Sequence, residues 1–320
     1  EFTTGRPPMS SSPAAMTAGS VESTTRGRVE ALLGLVAGAD GFTGRQFRRH
    51  AQAAGHEVVA LRGDLTDADA VLGEVLAAQP DHVLHLAGIA FVGHRHDEAF
   101  YAVNTVGTTN LLDALVQLPK PPARVLLASS ANVYGNCAQS PIAETQAPAP
   151  VNHYAMSKLA MEHMARNYMA KMAVVVARPF NYTGPGQDEA FVIPKLAKHF
   201  AQRLPSVALG NLHVEREFND VRTVCNAYLA LLDVGVPGEA YNICSGQPYR
   251  LRDIIDRFER LSGHRIEVRI DPNFVRENEV HRLCGSPDKL DRLLQAHGRE
   301  LDALSLDDTL EQMLEVASAG

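Results

Sequence analysis

Three glycines at regular spacing, Gly38, Gly41 and Gly44, separate a short apolar run from a segment with helical periodicity. Glycine lets the backbone turn sharply, and the amides at the start of a helix attract an anion. In this strand–turn–helix context the pattern indicates a βαβ unit whose turn holds the diphosphate of a dinucleotide. We assign Phe42 and Thr43, together with the three glycines, to a cofactor-binding turn. The alternative is a glycine-rich loop that arose by chance.

Short apolar runs recur along the first half of the chain and lack the alternation of strands that expose one face. They cover residues 32–36, 58–61, 82–86, 125–128 and 174–177. Runs of this kind are typical of strands that are buried on both faces of a parallel sheet. With helices between them, they predict an α/β chain with a doubly wound parallel sheet of the Rossmann type.

Changes in composition along the chain predict three regions. Residues 1–27 are rich in Ser, Thr, Ala and Pro, which predicts a disordered tail, and Glu1 and Phe2 are interpreted as a cloning scar. Residues 28–178 are predicted to form a dinucleotide-binding domain. Residues 179–320 are predicted to form most of a smaller C-terminal substrate-binding lobe, with some segments that return to the first domain.

The composition argues against several classes of function. A net charge of −7 without a basic run argues against a nucleic-acid partner. No stretch approaches the ~18 consecutive apolar residues of a membrane helix, which argues against a membrane protein. Four widely spaced cysteines and the lack of a secretory hydrophobic stretch predict a cytoplasmic location. No histidine or cysteine pattern has the spacing of a zinc site, so no metal is predicted.

The ends of the second and third predicted strands bear on the choice of cofactor. Arg62 stands where NAD-dependent enzymes usually place an acid for the ribose 2′-hydroxyl, and an arginine can pair with a 2′-phosphate instead. This favours NADPH, with NADH as the alternative. We expect Asp64 and Leu65, which follow directly, to lie near the adenine. The third strand ends in Leu86, Ala87 and Gly88, and the small residues of this segment allow the cofactor to approach closely.

Ser130, Tyr154 and Lys158 form a pattern for proton transfer. Tyr154 and Lys158 are four residues apart on a predicted helix and so share one face. The pKa of a free tyrosine is about 10, and we expect the Lys158 ammonium to lower that of Tyr154. Ser130, just after the fourth predicted strand, can hydrogen-bond the reacting oxygen. With the glycine turn, this predicts a nicotinamide-dependent oxidoreductase in which Tyr154 protonates a carbonyl oxygen and Lys158 holds the nicotinamide ribose.

The motifs around these residues resemble those of the extended short-chain dehydrogenase/reductase family over about residues 30–290. Two of them are residues 104–112 and 129–135. Further segments are similar to those of the GDP-mannose branch, above all to the GDP-4-keto-6-deoxy-mannose (GDP-6-deoxy-lyxo-4-hexulose) reductases: residues 178–187, 209–212, 216–221 and 241–246. The resemblance implies a GDP-sugar substrate, a hexose or a heptose, whose C4 carbonyl is reduced with NAD(P)H.

The resemblance also implies a set of substrate-binding residues. Asn181, Arg216 and Arg276 would face the diphosphate or the ribose, and Glu279 would hold ribose hydroxyls. Val192 and Lys195 would lie near the guanine. Arginine suits phosphate and glutamate suits a diol, although surface salt bridges are the alternative for Arg216 and Arg276. The helix that carries Tyr154 is the expected interface of a homodimer.

The chain departs from the family pattern at residue 132. The related 4,6-dehydratases have a glutamate there that removes the C5 proton, whereas this chain has Asn132, which is assigned to the substrate site and cannot act as a base. The absence of tryptophan also departs from a Gly-Trp segment common near the C-terminus of the family. A reductase is therefore favoured. The alternatives are a nucleotide-sugar epimerase or 4,6-dehydratase and, outside catalysis, a nucleotide-sugar sensor.

Overall fold

The computed structural model describes residues 32–88, 97–275 and 280–319, and thirteen strands and ten α-helices lie within these ranges. The strands are β1 (Leu33–Ala37), β2 (Glu57–Leu61), β3 (His82–His85), β4 (Arg124–Ala128), β5 (Val174–Pro179), β6 (Tyr182–Thr183), β7 (Ser206–Leu209), β8 (Glu215–Arg216), β9 (Asn219–Asp220), β10 (Ala240–Ile243), β11 (Tyr249–Arg250), β12 (Glu267–Ile270) and β13 (Arg282–Leu283). The helices are α1 (Phe42–Ala53), α2 (Ala68–Ala78), α3 (Asp97–Tyr101), α4 (Thr108–Val116), α5 (His153–Ala165), α6 (Val192–Ala201), α7 (Val221–Val234), α8 (Leu251–Ser262), α9 (Asp288–Ala296) and α10 (Leu306–Ala319). The predicted tail, residues 1–27, lies outside the described residues.

Six parallel strands form the central sheet, in the order β10-β5-β4-β3-β1-β2. The five strands predicted from the apolar runs are all present, and the predicted doubly wound sheet is confirmed. The sixth strand, β10, comes from the second half of the chain and pairs with β5 at one edge. Helix α1 begins at Phe42, because the turn closes at Gly41 and the helix follows at once.

The sheet is covered on both faces, which explains why its strands do not alternate between apolar and polar residues. One core cluster contains Val36 of β1 and packs it with α1 and α7. The preceding residue of the strand, Leu35, belongs to a second cluster on the opposite face with α2, α4 and α5. Adjacent residues of one strand are therefore buried in separate cores.

The remaining helices pack around smaller strand pairs in the second half of the chain. A third core cluster joins α6, α8 and α10 to β7 and β12, and within it the rings of Phe200 and Phe258 stack with centroids 5.4 Å apart. Glu217, which is fully buried, accepts hydrogen bonds from the amides of Ser245 and Gly285, both at 2.6 Å. This carboxylate ties the segment after β8 to the ends of β10 and β13.

Within the described ranges, no helix combines the length and the apolar character needed to cross a membrane. The described side chains also include no group of three or more His, Cys, Asp or Glu that could hold a metal ion.

The glycine turn between β1 and α1 is tightly packed against its own backbone. Gly38 has φ +86°, and a Cβ added there would lie 2.6 Å from the amide nitrogen of Ala87. A Cβ added at Gly44 would lie 2.6 Å from the Cα of Ala39 and closer still to the carbonyl of Gly38. Both positions therefore require glycine, the first to let β1 and β3 end side by side and the second to let α1 start directly under the turn.

This packing predicts opposite effects for two helical glycines. Gly44→Ala should lower the free energy of unfolding by about 1–3 kcal/mol, because the added methyl meets backbone atoms that cannot move independently. Gly73→Ala, in the exposed middle of α2, has no atom within 4 Å of the added carbon. It should raise the free energy of unfolding by about 0.5–1 kcal/mol through helix propensity. Urea denaturation of both cofactor-free variants measures the two signs, and an unchanged Gly44→Ala would contradict the packing argument.

Candidate active site

The three predicted catalytic residues lie together at the carboxyl end of β4. Helix α5 is capped by Asn152, whose side chain accepts from the amide of Ala155 at 2.8 Å, and this cap places Tyr154 in the first turn. The Tyr154 hydroxyl is hydrogen-bonded with Ser130, which follows β4. One turn further along α5, Lys158 Nζ donates to the carbonyl oxygen of Ala128 at 2.9 Å. One face of α5 thus contacts the end of the strand that carries Ser130.

Burial governs the ionisation of this site. It raises the pKa of Tyr154, and the hydrogen bond with Ser130 only opposes that effect. The prediction that Lys158 lowers the Tyr154 pKa is therefore wrong for this structure, since a deeply buried phenolate loses its hydration. Burial also lowers the pKa of Lys158 to about 8, against the influence of Glu162, which raises it. The tyrosine is a neutral phenol at pH 7, and the lysine is easier to deprotonate than an exposed one.

Asn132 lies beside the same serine. Its backbone amide donates to Ser130 Oγ at 3.2 Å and its side-chain amide donates to that oxygen at 3.0 Å. Two donors on one hydroxyl oxygen leave the Ser130 proton directed elsewhere, which agrees with its bond to Tyr154. Asn132 therefore orients Ser130 in this structure.

Aromatic and hydroxyl side chains connect Tyr154 to the glycine turn. The ring of Phe100 meets that of Tyr154 edge-on at a centroid distance of 5.9 Å. Tyr182 shares a 2.8 Å hydrogen bond with Thr43 of the turn. Burial raises the pKa of Tyr182 to about 12, against the effect of that bond. Thr43 is thus linked to a side chain of the chemical site, while its own backbone lies in the first turn of α1.

A π-helical segment at 102–107, between α3 and α4, brings Asn104 into the site. Its side chain donates to Ser157 Oγ at 2.9 Å. A Cβ added at Gly88 would lie 2.6 Å from Asn104 Oδ1 and 3.0 Å from Lys158 Nζ, so all three lie together. Sequence reasoning assigned no role to Asn104, although the motif at 104–112 contained it. An asparagine within a π-helical segment is a signal of a functional position.

The predicted cofactor-binding residues lie at the carboxyl ends of β1, β2 and β3, on one edge of the sheet. The amide of Leu86 donates to the carbonyl of Ala37 at 2.9 Å, which holds the end of β3 against the glycine turn. The side-chain amide of Asn110 donates to the carbonyl of Leu65 at 2.8 Å. Gly107 allows this approach, since a Cβ there would lie 2.8 Å from the Leu65 Cβ.

The end of β2 is held by a residue that sequence reasoning missed. The Glu74 carboxylate accepts from the amide of Arg62 at 2.8 Å and from that of Gly63 at 2.6 Å. The Arg62 side chain is exposed, and no described residue pairs with its guanidinium. Asp64 instead accepts hydrogen bonds from the amide and the hydroxyl of Thr66. Both bonds lower the pKa of Asp64, and the bond from the amide has the larger effect.

Besides Asn132, the structure describes four of the residues predicted to bind substrate. Asn181 is exposed, and its carbonyl accepts from the amide of Asn219 at 3.0 Å. Lys195 Nζ donates to the carbonyl of Ala208 at 2.7 Å and lies 4.3 Å above the ring of Phe274. Val192, the first residue of α6, lies one turn before Lys195.

Arg216 is held by the backbone around residue 281. Its guanidinium donates to the carbonyls of Glu215 at 2.8 Å and His281 at 3.3 Å, and also to that of Val280. Arg276 and Glu279, also predicted to bind substrate, lie outside the described residues.

The GDP-mannose 4,6 dehydratase family model matches residues 34–297 of this chain. The chain belongs to that family. It is one of the extended short-chain dehydrogenases/reductases, as the motifs predicted. The match covers the whole central sheet, the catalytic group and most of the second half of the chain.

Two curated relatives of this family member are similar along most of their length. A GDP-6-deoxy-D-talose 4-dehydrogenase from Aggregatibacter actinomycetemcomitans is 34% identical over 285 residues, which cover 87% of this chain and 96% of the relative. A GDP-6-deoxy-D-mannose reductase from Pseudomonas aeruginosa is 37% identical over 271 residues, which cover 80% of this chain and 88% of the relative.

Two solved structures share the fold of this family member. One, from Burkholderia cenocepacia J2315 and described provisionally as an epimerase, is 43% identical with a TM-score of 0.84, and the match covers 92% of this chain and all of that one. The other is RMD from Pseudomonas aeruginosa complexed with NADPH, which is 34% identical with a TM-score of 0.82 over 90% of this chain and 99% of that one.

The buried Lys158 predicts a pH dependence of stability. Its pKa falls from 10.5 to about 8 on folding, so between these values the unfolded chain binds the proton that the folded one has lost. The free energy of unfolding contributed by this residue therefore rises with pH in that window, by up to about 1.4 kcal/mol per pH unit. Lys158→Met lacks this contribution.

Urea denaturation of the cofactor-free protein and of Lys158→Met between pH 7 and pH 10 measures the difference. We expect the free energy of unfolding of the unsubstituted protein, relative to that of Lys158→Met, to increase as the pH rises above about 8. The exposed Lys171 gives a control, Lys171→Met, with the same change in charge and composition. A difference that stays constant across this range for Lys158→Met would contradict the assignment.

Proposed function

We propose that this protein uses NADPH to reduce the C4 carbonyl of a GDP-4-keto-6-deoxy sugar, GDP-6-deoxy-lyxo-4-hexulose or a heptose analogue, to the GDP-6-deoxy sugar. The observation that carries the proposal is a buried Tyr154 hydrogen-bonded with Ser130, beside an amide at Asn132 where a dehydratase needs a carboxylate. The names of the two curated relatives support the substrate class. NADH is the alternative cofactor.

The residues at the glycine turn fit a dinucleotide. Gly38 and Gly44 leave no room for a Cβ. Helix α1 begins at Phe42, and its N-cap residue, Gly41, has no side chain to cap the first amides, so these point at the turn. A nicotinamide cofactor bound there supplies the hydride that reduces C4. The complex of the Pseudomonas aeruginosa structure with NADPH supports this choice. Arg62 would face the 2′-phosphate, because its guanidinium is exposed next to β2.

Tyr154 is suited to donate the proton. Its pKa is raised by burial, so the phenol is intact at neutral pH, and Ser130 fixes the direction of its hydroxyl. As negative charge develops on the C4 oxygen, that oxygen becomes the stronger acceptor and takes the Tyr154 proton. Ser130 stabilises the same oxygen, and Lys158 holds the nicotinamide ribose and, as a cation, the phenolate that remains.

The GDP moiety would lie against the second half of the chain. We assign Arg216 and Asn181 to the diphosphate or ribose, and Val192 and Lys195 to the guanine. Arg276 and Glu279 keep the diphosphate and ribose roles that the resemblance implies. Backbone carbonyls accept hydrogen bonds from Arg216 and Lys195, so substrate binding would exchange these contacts for contacts to phosphate and base.

The other readings of the site are less well supported. A dehydratase needs a base for the C5 proton, and Asn132 donates to Ser130 in place of accepting a proton. A sensor would not need Ser130, Tyr154 and Lys158 assembled in one buried group. An epimerase keeps the same catalytic group, and one structural relative is provisionally described as such. Consumption of NADPH distinguishes a reductase from an epimerase, which regenerates its cofactor in each cycle.

The predicted homodimer would use the outer face of α5. Met156 and Met164 on that helix are 43% and 38% exposed. Val106, in the π-helical segment that precedes α4, is 52% exposed. Exposed large apolar side chains on α5 support an interface there. The cytoplasmic location remains a prediction.

The proposed function predicts a dependence on a second enzyme. With GDP-mannose alone, with or without NADP⁺, this protein should give no product, because it lacks the base for dehydration. When a GDP-mannose 4,6-dehydratase supplies the 4-keto sugar, NADPH should be consumed in a one-to-one ratio with a new GDP-6-deoxy sugar. Absorbance at the NADPH band and chromatography of the sugar nucleotides measure both quantities.

Tyr154→Phe is the control for that assay, since the ring still packs against Phe100 but the proton donor is gone. Its turnover should fall by about 10²–10⁴-fold while NADPH binding is retained. Release of a 4-keto-6-deoxy sugar from GDP-mannose by this protein alone would overturn the reductase assignment. A change of sugar configuration without consumption of NADPH would indicate the epimerase.

The choice of cofactor predicts the effect of a single arginine. Arg62→Ala should raise the Michaelis constant for NADPH at least about tenfold more than that for NADH, because only NADPH carries the 2′-phosphate. Steady-state kinetics with each cofactor measure the ratio. Arg292→Ala, an exposed arginine on α9, is the matched control for a change in net charge. Equal effects of Arg62→Ala on both cofactors would mean that Arg62 makes no contact with that phosphate.

A further inference from the structure

A buried ion pair lies directly behind the catalytic residues. Arg178 of β5 donates to Glu162 of α5 through two nitrogens, Nε at 2.9 Å and Nη2 at 2.6 Å. Each residue is 6% exposed. Removing two charges from water is costly, so a forked pair in this position needs a reason beyond stability. The mechanism proposed above uses neither residue.

The pair is connected to the chemical site through Ser129. The Ser129 hydroxyl, 4% exposed, donates to Glu162 Oε1 at 2.5 Å. Ser129 immediately precedes Ser130, which hydrogen-bonds Tyr154. Glu162 lies one helical turn after Lys158, and Lys158 holds the carbonyl of Ala128. Tyr154, Lys158 and Glu162 therefore lie along one face of α5 and hold three consecutive residues, 130, 128 and 129.

Arg178 is fixed from its other side as well. Its Nη1 donates to the Tyr134 hydroxyl at 2.9 Å, and its guanidinium carbon lies 5.0 Å from the centre of that ring. Tyr134 in turn donates to Asn242 of β10 at 2.7 Å. The position of Glu162 is thus set from β5 and β10, two strands beyond the one that carries Ser130. Each of these polar groups has a partner, so the network has one low-energy arrangement.

We propose that Ser129, Glu162 and Arg178 are positioning residues that hold Ser130 at hydrogen-bonding distance from Tyr154. The residues after β4 have no strand partner beyond Ala177, whose carbonyl accepts from the Ser129 amide at 2.8 Å. The Ser129 hydroxyl provides the only described side-chain contact at that residue. Without it, Ser130 is held through Asn132, through Tyr154 and through its own carbonyl, which accepts from the amide of Val133 at 3.2 Å. The inference rests on the proposed function for its catalytic readout.

Ser129→Ala is the variant that tests this role. It removes one hydroxyl and leaves the Arg178–Glu162 pair intact, whereas a substitution of Glu162 would leave Arg178 buried without a counter-charge and could unfold the protein. Thr309→Val is the matched control. Thr309, in α10, is also fully buried, and its hydroxyl also donates to a buried carboxylate, that of Asp220, at 2.8 Å.

A double-mutant cycle with Ser130→Ala separates positioning from general stability. In the otherwise unsubstituted protein, Ser129→Ala should lower kcat about tenfold with little change in either Michaelis constant. In the Ser130→Ala background, which by itself should lose about 10²-fold, the further loss from Ser129→Ala should be less than about twofold. Thr309→Val should leave kcat unchanged in both backgrounds. An equal loss in the two backgrounds, a kcat within about twofold of normal for Ser129→Ala, or a change in Michaelis constants alone would overturn the proposal.

Hydrogen–deuterium exchange gives a readout that needs no substrate. In the cofactor-free protein, Ser129→Ala should speed exchange of the amides in a peptide covering 130–135, which includes the Asn132 amide bound to Ser130 Oγ. Thr309→Val should not change it. If the unsubstituted protein reduces no 4-keto sugar, the proposed function fails, and this measurement still decides the inference. Unchanged exchange in Ser129→Ala would overturn it.

Discussion

The contact between one face of α5 and the end of β4 is the constraint on which the site depends. Three side chains of the helix, spaced one turn apart, bind three consecutive residues of the strand end: Tyr154 the Ser130 hydroxyl, Lys158 the Ala128 carbonyl and Glu162 the Ser129 hydroxyl. A helix and a strand can match in this way only over a few residues, because their rises per residue differ. These contacts surround the proposed proton donor, Tyr154, and they are rigid because every group involved is buried.

Burial sets the chemistry as well as the geometry. A tyrosine removed from water keeps its proton, and a lysine removed from water holds its proton less tightly, so the pKa of Tyr154 rises above its usual value of 10.0 while that of Lys158 falls to about 8, and the two values move apart. In this arrangement the phenol is ready to donate in the direction of reduction. A bound cofactor that carries negative charge would favour the ammonium form of Lys158. The balance between these effects is set by the depth of the site more than by the sequence spacing of the two residues.

Reduction and dehydration can share this scaffold because they differ at one position. Both reactions need the glycine turn, the Tyr154–Lys158 pair and a nucleotide-sugar site, and the family model covers all of them. At residue 132 this chain has an asparagine whose backbone amide and side-chain amide both donate to Ser130 Oγ. A carboxylate side chain there would leave only the backbone donor, so the exchange of one side chain would change both the available base and the hydrogen bonds of the serine.

The amino-acid sequence by itself determined the local features of the fold and the site. These are the apolar runs of strands buried on both faces, the glycine turn suited to a phosphate, and the Tyr–Lys spacing that places both residues on one helix face. These are local properties, since they depend on backbone freedom and on neighbours a few residues away. Only the tertiary structure decided the direction of the Tyr154 pKa shift and the hydrogen bonds of Glu74 to the end of β2. It also decided which carbonyls Arg216 and Lys195 contact, and it brought Arg178 and Glu162 together as an ion pair. Those depend on groups that are distant in the chain, and only packing fixes their separation and their access to water.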